Sequence, residues 1–326
     1  MVLNKKSYKK LFQLLKLVVT VALCGFILWK IDWKGLDDAA ESINFILLMA
    51  VFLAMVLNVF LSTLKWKILL AIHGIQFRFS VLYKYYFTAA FFNNFLPSTI
   101  GGDGYRIFKT FRNPESKEGA VTTVIVERIT GILALLFLGF VGSIVIFLRN
   151  GDVIARDIMF TGTIGIGIFL VCFPLIVFKA DLFRKLTGKY LPGKIKRVIA
   201  HTQDYQHNLS KTLLVILLSL LFQSFLLVYR LLLIYTVGES ISIFSLAVVV
   251  AVSTVIALIP ISINGIGLMD GSYIYLLVHY GVGYDQAVIV MLLIRLLQLP
   301  LSLVGGIFYQ LDKSLLKVPD VQPEEI

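Results

Sequence analysis

The sequence is poor in the residues that soluble and secreted proteins depend on. Only 15% of its 326 residues are charged, which is too little polar surface to cover a water-soluble domain of this length. Its two cysteines, Cys24 and Cys172, are too few for a disulfide framework and lack metal-ligand spacing. The four histidines show no ligand spacing either, and there is no nucleophile elbow, phosphate loop or zinc motif. We therefore expect no metal and no cofactor.

Apolar residues are what the chain has in abundance. They make up 58% of the sequence, the mean hydropathy is +0.89, and they occur in runs long enough to span a bilayer core. The apolar segments lie at about 11–29, 45–64, 81–96, 120–147, 158–178, 212–237, 243–259 and 287–309. The pattern predicts an all-α polytopic membrane protein, with a cytoplasmic N-terminus at 1–10, a single transmembrane domain over 11–311 and a cytoplasmic tail at 312–326.

The net charge of +11 is carried by connections between the apolar segments. Lys and Arg in such connections are typical of the cytoplasmic side, so the charge indicates orientation and contact with anionic lipid rather than nucleic-acid binding. The basic connections are 1–10, 65–84, 106–117, 179–211 and 313–317. They all fall on one side only if segments 81–96 and 243–259 enter and return on the same side. This predicts about six full spans plus two re-entrant hairpins in the cell membrane, with both termini cytoplasmic.

Two polar, glycine-rich breaks interrupt the apolar segments, one after Pro97 and one after Pro260. Non-helical backbone at membrane depth has to line a cavity within the protein, because lipid cannot satisfy its N–H and C=O groups. We expect half-helices to begin after Gly102 and Gly267, with N–H groups and dipoles suited to phosphate. The alternative is that both prolines only kink packed helices.

Charged residues at membrane depth are the second group of candidates. Asp103 and Asp270 lie in the breaks, where each could bind a cation, a proton or an amine, or simply cap its half-helix. Arg128 and Arg295 lie inside later segments, and we expect at least one to face an anionic group. Glu127 is a candidate acid–base residue, with a structural ion pair to Arg128 or Arg295 as the alternative.

An internal repeat links the two breaks. Asp103 recurs as Asp270 and Arg128 recurs as Arg295, both at an offset of 167 residues. Inverted repeats with broken helices are the architecture of many transporters. We therefore predict an inverted repeat whose two breaks form one polar cavity.

Other polar and aromatic residues are expected to have structural roles only. Gln223 fits hydrogen bonding between helices, and Arg230 is expected to snorkel to the membrane surface. An interfacial aromatic belt is predicted from Trp66, Tyr83, Tyr85 and Tyr86.

The first break and the residues after it resemble the transmembrane flippase-like domain of the lysylphosphatidylglycerol synthases. The similar pattern is Asn94-Phe-Leu-Pro97-x3-Gly101-Gly102-Asp103-x2-Arg106, then Glu127-Arg128, then Gly265-x-Gly267 and Arg295, within about residues 10–312. In full-length relatives this domain is fused to an aminoacyltransferase domain, and it carries the lysylated lipid to the outer leaflet. The resemblance implies a stand-alone member, and we expect no aminoacyl transfer by this chain alone.

The predicted function is a membrane lipid translocase that moves a phospholipid or another anionic or aminoacylated lipid between leaflets. Its substrate-binding residues are expected to be Asn94, Pro97, Gly101, Gly102, Asp103, Arg106, Glu127, Arg128, Asn264, Gly265, Gly267, Asp270, Gly271 and Arg295. The expected partners are membrane phospholipids with anionic head groups, not nucleic acid, while a separate lipid synthase and a homo-oligomer stay open. Two alternatives are a membrane-embedded transferase, or transferase subunit, in lipid modification, and a scaffold that docks a synthase on the 179–211 connection.

Overall fold

A computed structural model of the protein describes residues 43–95, 100–111, 114–163, 204–259, 262 and 265–311. The helices are α1 Phe45–Ile72, α2 Phe79–Phe95, α3 Ile100–Thr110, α4 Pro114–Asn150, α5 Asp204–His207, α6 Leu209–Thr236, α7 Ile243–Ala257, α8 Leu268–His279 and α9 Tyr284–Leu311. Residues 153–163 are also helical, and no strand occurs in the residues described. The predicted segment at 11–29, most of that at 158–178, Pro97, Pro260 and Asn264 lie outside them.

Four of the described helices, α1, α4, α6 and α9, are long and apolar enough to cross a membrane. Each has 28 residues or more, which at about 1.5 Å per residue exceeds the ~30 Å hydrocarbon core. Large apolar side chains on them point outward, as at Leu53 and Leu217, which are 64% and 62% exposed. The chain is therefore an all-helical, multi-pass membrane protein. The count of six spans, the re-entrant hairpins and the cytoplasmic termini stay predictions.

Two helix boundaries differ from those expected. Helix α1 continues to Ile72, so Lys65 and Trp66 lie in a helix and not in a basic connection, because lysine is a good helix former. Helix α3 begins at Ile100, so the start predicted after Gly102 is wrong. The start predicted after Gly267 is confirmed, since α8 begins at Leu268.

The order of helices repeats along the chain. Helices α1 to α4 have 28, 17, 11 and 37 residues, and α6 to α9 have 28, 15, 12 and 28. Within these sets α2 packs against α3, and α7 packs against α8. The internal repeat thus includes whole helices, while its inverted orientation stays a prediction.

The chain divides into two compact units. Unit 1 comprises Met1–Met55, Leu135–Met159 and Phe225–Leu299, and unit 2 comprises Val56–Ala134, Phe160–Ser224 and Pro300–Ile326. In unit 1, α4 lies close to α7, because a Cβ added at Gly142 would come 2.5 Å from the Phe244 carbonyl oxygen. In unit 2, α9 lies close to α2, because a Cβ at Gly305 would come 2.0 Å from the Phe87 carbonyl oxygen. Glycine permits both approaches.

Candidate functional site

Five charged side chains of unit 2 line one cavity, and we call them the buried ion network. They are Lys65 on α1, Asp103 and Arg106 on α3, and Glu127 and Arg128 on α4. Apart from Arg128, each is less than a tenth exposed. Burying a charge away from water costs free energy unless the charge is paired and hydrogen-bonded. The partners of each charged side chain therefore have to be identified.

Arg106 is the centre of the buried ion network. Its Nη1 donates to Glu127 Oε2 at 2.7 Å, and its Nη2 donates to Asp103 Oδ1 at 2.8 Å. Its guanidinium also lies 4.7 Å from the ring centre of Tyr86 and 5.0 Å from that of Trp66, within cation–π range. Arg106 is therefore neutralised by two carboxylates and covered by two aromatic rings.

Glu127 is held by groups on three helices. Besides Arg106, the Tyr86 hydroxyl donates to its Oε1 at 2.9 Å, and Lys65 Nζ donates to its backbone carbonyl at 3.3 Å. The alternative that paired Glu127 with Arg128 or Arg295 is wrong, because Arg106 on α3 reaches the carboxylate instead.

Arg128 is the most exposed member of the buried ion network. Its Nε donates to Asp103 Oδ2, and its side chain is 47% exposed. It lies eight residues after Ala120, where the apolar run of α4 begins, so it is about 12 Å along that run. Asp103 thus pairs with two arginines, in the first turn of α3, where the helix dipole also favours a carboxylate.

The buried ion network lines a cavity of 240 Å³ in unit 2. Lys65, Arg106 and Arg128 are cationic and Asp103 and Glu127 are anionic, so the lining carries a formal net charge of +1. A single phosphodiester anion would neutralise it.

Uncharged polar groups connect the helices around this cavity. Gln223 Nε2 donates to the Gly131 carbonyl at 2.9 Å, which confirms the interhelical hydrogen bonding expected of Gln223. The Asn94 amide donates to the Ser302 hydroxyl, and so connects α2 to α9.

Gly102 determines how closely α3 approaches α2. A Cβ there would lie 2.2 Å from the Ala89 carbonyl oxygen, and its N–H donates to Asn93 Oδ1 at 3.0 Å. Gly101 precedes it in the same first turn. This N–H group of α3, expected to be open to phosphate, is therefore already bonded to the protein.

Unit 1 has a smaller polar site around Asp270. Its Oδ1 accepts from Arg295 Nη2 at 2.7 Å, and its Oδ2 accepts from the Gly267 N–H at 3.0 Å. Asp270 therefore caps α8 and pairs with an arginine at once. Gly265 and Gly267 have φ of 72° and 82°, the left-handed region that favours glycine, and Gly271 lies in the first turn of α8.

The two units contain ion pairs of the same spacing. Asp103 with Arg128 and Asp270 with Arg295 are both 25 residues apart. The offset of 167 residues therefore relates two ion pairs of similar chemistry. The match ends at Glu127, whose counterpart at that offset is the apolar Ile294.

Several residues that form these sites were not expected to do so. The predicted aromatic belt is wrong for Trp66, which is 0% exposed, and for Tyr86, whose hydroxyl binds Glu127. Lys65 was assigned to a connection. The only sequence signal for its place in the site was that the helix could continue beyond the apolar run at 45–64. Arg230 does not snorkel, because it is only 7% exposed.

Comparison with known families identifies the chain. The family described as the lysylphosphatidylglycerol synthase TM region matches residues 13–305. No curated protein and no solved structure matches. The family match includes the buried ion network of unit 2 and the Asp270–Arg295 pair of unit 1. The chain therefore belongs to the lysylphosphatidylglycerol synthase transmembrane-region family, and its function is related to membrane lipids.

Proposed function

We propose that the chain is a membrane lipid translocase and that the cavity in unit 2 holds the anionic head group of the lipid. The supporting observation is the formal net charge of +1 on the cavity lining, combined with the 47% exposure of Arg128. A phosphodiester brings one negative charge, so its entry would make the cavity neutral, while the acyl chains remain in the bilayer. Anionic membrane phospholipids are accordingly the proposed partners.

Each member of the buried ion network has a role in this proposal. Arg128 offers guanidinium donors to the phosphate, since such donors match the geometry of phosphate oxygens. Asp103 holds Arg128 in place when no lipid is bound and competes with the phosphate for it. Arg106 holds Asp103 in position, and Glu127 holds Arg106, because the guanidinium bridges the two carboxylates. Because Asp103 competes with the phosphate for Arg128, the lipid can be released again, as translocation requires.

We also propose that α2–α3 and α7–α8 are re-entrant hairpins of an inverted repeat, in a cell-membrane protein with about six full spans and cytoplasmic termini. Helices α3 and α8 have 11 and 12 residues, or about 16–18 Å, which is too short for a ~30 Å hydrocarbon core. Each packs against the helix before it, as the arms of a hairpin do.

Reconstituted vesicles test the translocase. The full chain is placed in vesicles with head-group-labelled phosphatidylglycerol or phosphatidylcholine, and a membrane-impermeant quencher reports leaflet exchange. We expect faster exchange than in protein-free vesicles, and about tenfold slower exchange for Arg128→Gln, because it loses a charge-assisted hydrogen bond worth about 1.5 kcal/mol or more. Arg156→Gln is the matched control, since Arg156 pairs only with its exposed neighbour Asp157 among the contacts described. No exchange above empty vesicles with either lipid removes the proposal.

The transferase alternative is distinguished by Glu127→Gln in cells. Glu127 is 5% exposed and bonded to Arg106 and Tyr86, which favours a structural ion pair over an acid–base role. We expect unchanged lipid content with an altered leaflet distribution. Loss of a modified lipid species would support the transferase instead.

A further inference from the structure

Arg230, on α6 in unit 1, is a buried cation for which the described residues supply no negative partner. Its residue is 7% exposed, although it lies only six residues before the end of α6 at Thr236. Within the part of the chain that the structure describes it forms no ion pair, and its Nε and Nη1 are buried without a hydrogen-bond partner. The polar side chains beside it are Tyr229 and Tyr273, and neither carries a negative charge.

Tyr273 on α8 is the closest aromatic neighbour of this guanidinium. The ring centre lies 5.2 Å from Arg230 Cζ, and Tyr273 is 0% exposed. Its hydroxyl is also buried and has no partner within hydrogen-bond geometry in the described parts of the chain. Arg230 Nε, Arg230 Nη1 and the Tyr273 hydroxyl are therefore three neighbouring hydrogen-bond donors without an acceptor among the described residues. Leaving buried donors unsatisfied costs free energy.

The internal repeat allows the surroundings of Arg230 in unit 1 to be compared with those of Arg106 in unit 2. Trp66 and Arg230 are each the twenty-second residue of a 28-residue helix, α1 and α6; their offset of 164 residues is three fewer than the 167 between the aspartates. Arg106 and Tyr273 each stand three residues after the repeated aspartate. Unit 2 thus places Arg106 over the Trp66 ring, and unit 1 places Arg230 over the Tyr273 ring. Each unit thus has a guanidinium beside an aromatic ring, with the arginine on α3 in unit 2 and on α6 in unit 1.

Among the residues that the structure describes, the carboxylates that neutralise Arg106 have no equivalent around Arg230. Arg106 binds both Asp103 and Glu127. In unit 1 the Glu127 position is Ile294, and the contacts described for Asp270 go to Arg295 and to the Gly267 N–H. One further negative charge would complete the site.

We propose that Arg230 and Tyr273 form an oxyanion site in unit 1, which takes the phosphate of a lipid head group or free inorganic phosphate. Charged guanidinium N–H groups and a hydroxyl are donors that an oxyanion accepts. The proposal concerns equilibrium binding of an anion to unit 1, so it does not depend on whether the chain moves lipids between leaflets.

The test uses the full chain, purified in phosphate-free detergent, with the substitution Arg128→Gln as background so that binding in the unit 2 cavity is weakened. The probes are phosphatidylglycerol, diacylglycerol, which has the same chains without phosphate, and inorganic phosphate. Native mass spectrometry measures retained lipid, and thermal unfolding measures stabilisation by each probe. We expect phosphatidylglycerol to bind and stabilise, and diacylglycerol not to. Stabilisation by inorganic phosphate alone would identify a free anion as ligand.

Two substitutions at the site decide the outcome. Arg230→Met should lower phosphatidylglycerol affinity at least tenfold, because charge-assisted hydrogen bonds are lost. Without any anion it should melt no lower than the parent, because it removes an uncompensated charge. Arg156→Gln, with the same change of charge, should leave affinity unchanged. Equal affinity in Arg230→Met and Arg156→Gln, or a lower melting temperature of Arg230→Met without anion, overturns the proposal.

Tyr273→Phe covers the case in which Arg230→Met does not fold. It keeps the ring beside Arg230 and removes only the unpaired hydroxyl. We expect a severalfold loss of phosphatidylglycerol affinity with the fold intact. Unchanged affinity would show that Tyr273 serves only as a ring for Arg230, and it would overturn the proposed site.

Discussion

Removing the charge of Glu127 is the sharpest perturbation of the buried ion network. In Glu127→Gln the side chain keeps its shape and one oxygen acceptor. It loses the negative charge that faces Arg106 Nη1 at 2.7 Å and the Tyr86 hydroxyl at 2.9 Å. The formal charge of the cavity lining then rises from +1 to +2, with Glu127 only 5% exposed to solvent.

The expected loss of stability follows from this burial. Removing one partner of a buried ion pair costs about 3–5 kcal/mol, because the other charge remains without compensation. With an unfolding entropy of about 2.1 cal/mol/K per residue over 326 residues, 1 kcal/mol shifts the melting temperature by about 1.5 °C. The substitution should therefore lower it by about 4–7 °C. We expect the lower part of this range, because Arg106 retains Asp103 and glutamine retains an acceptor.

Thermal unfolding in detergent measures this effect, with Asp157→Asn as control. Asp157 is 64% exposed and pairs with Arg156 at 3.0 Å, so its removal should cost less than about 1 kcal/mol. The double variant Glu127→Gln/Arg106→Gln should be more stable than the sum of its single changes, by about 0.5–3 kcal/mol. A melting temperature for Glu127→Gln equal to that of Asp157→Asn, or strict additivity in the double variant, would refute the reasoning.

Two further predictions concern backbone approach and pH. Gly102→Ala should destabilise the protein, because its Cβ would meet the α2 backbone at 2.2 Å, whereas Gly104→Ala, with open space around it, should be neutral or stabilising by up to about 1 kcal/mol; circular dichroism melts of both variants compare them. Burial raises the pKa of the Asp152 carboxyl, but hydrogen bonds from the Ala155 N–H and from His279 outweigh it and hold that pKa below its ordinary value. Asp152 therefore contributes stability above its unfolded pKa of about 4, and this is lost as pH falls through the lower folded value. Melting curves from pH 6 to pH 3 should show a steeper fall in the parent than in Asp152→Asn, by about 1.5 °C for each kcal/mol in a chain of 326 residues; parallel curves would contradict the assignment.

Features that depend on local chemistry could be predicted from the sequence. The apolar lengths of α1, α4, α6 and α9 are local properties, and so is the glycine at the start of α8. The spacing between Asp103 and Arg128 recurs in Asp270 and Arg295, and a repeat of this kind is visible in sequence letters alone. Composition and these runs were therefore sufficient to determine the class of protein.

The partners of each charge were decided only by tertiary structure. Lys65, Trp66 and Tyr86 have the composition of a membrane-interface segment, yet they lie inside unit 2 because α1 continues to Ile72 and packs beside α2 and α3. Arg106 could be assigned to a basic connection until α3 brought it between Asp103 and Glu127.

Arg230 shows the same limit in unit 1. Its position near the end of α6 was compatible with a side chain that extends to the membrane surface. Packing against Tyr273 buries the side chain instead. Sequence by itself determined that this chain crosses the membrane and that α8 begins after Gly267, because hydrophobic length and glycine act locally. Which charges are neutralised, and which still need an anion, was decided by helix packing, because an ion pair depends on distances between residues far apart in the chain.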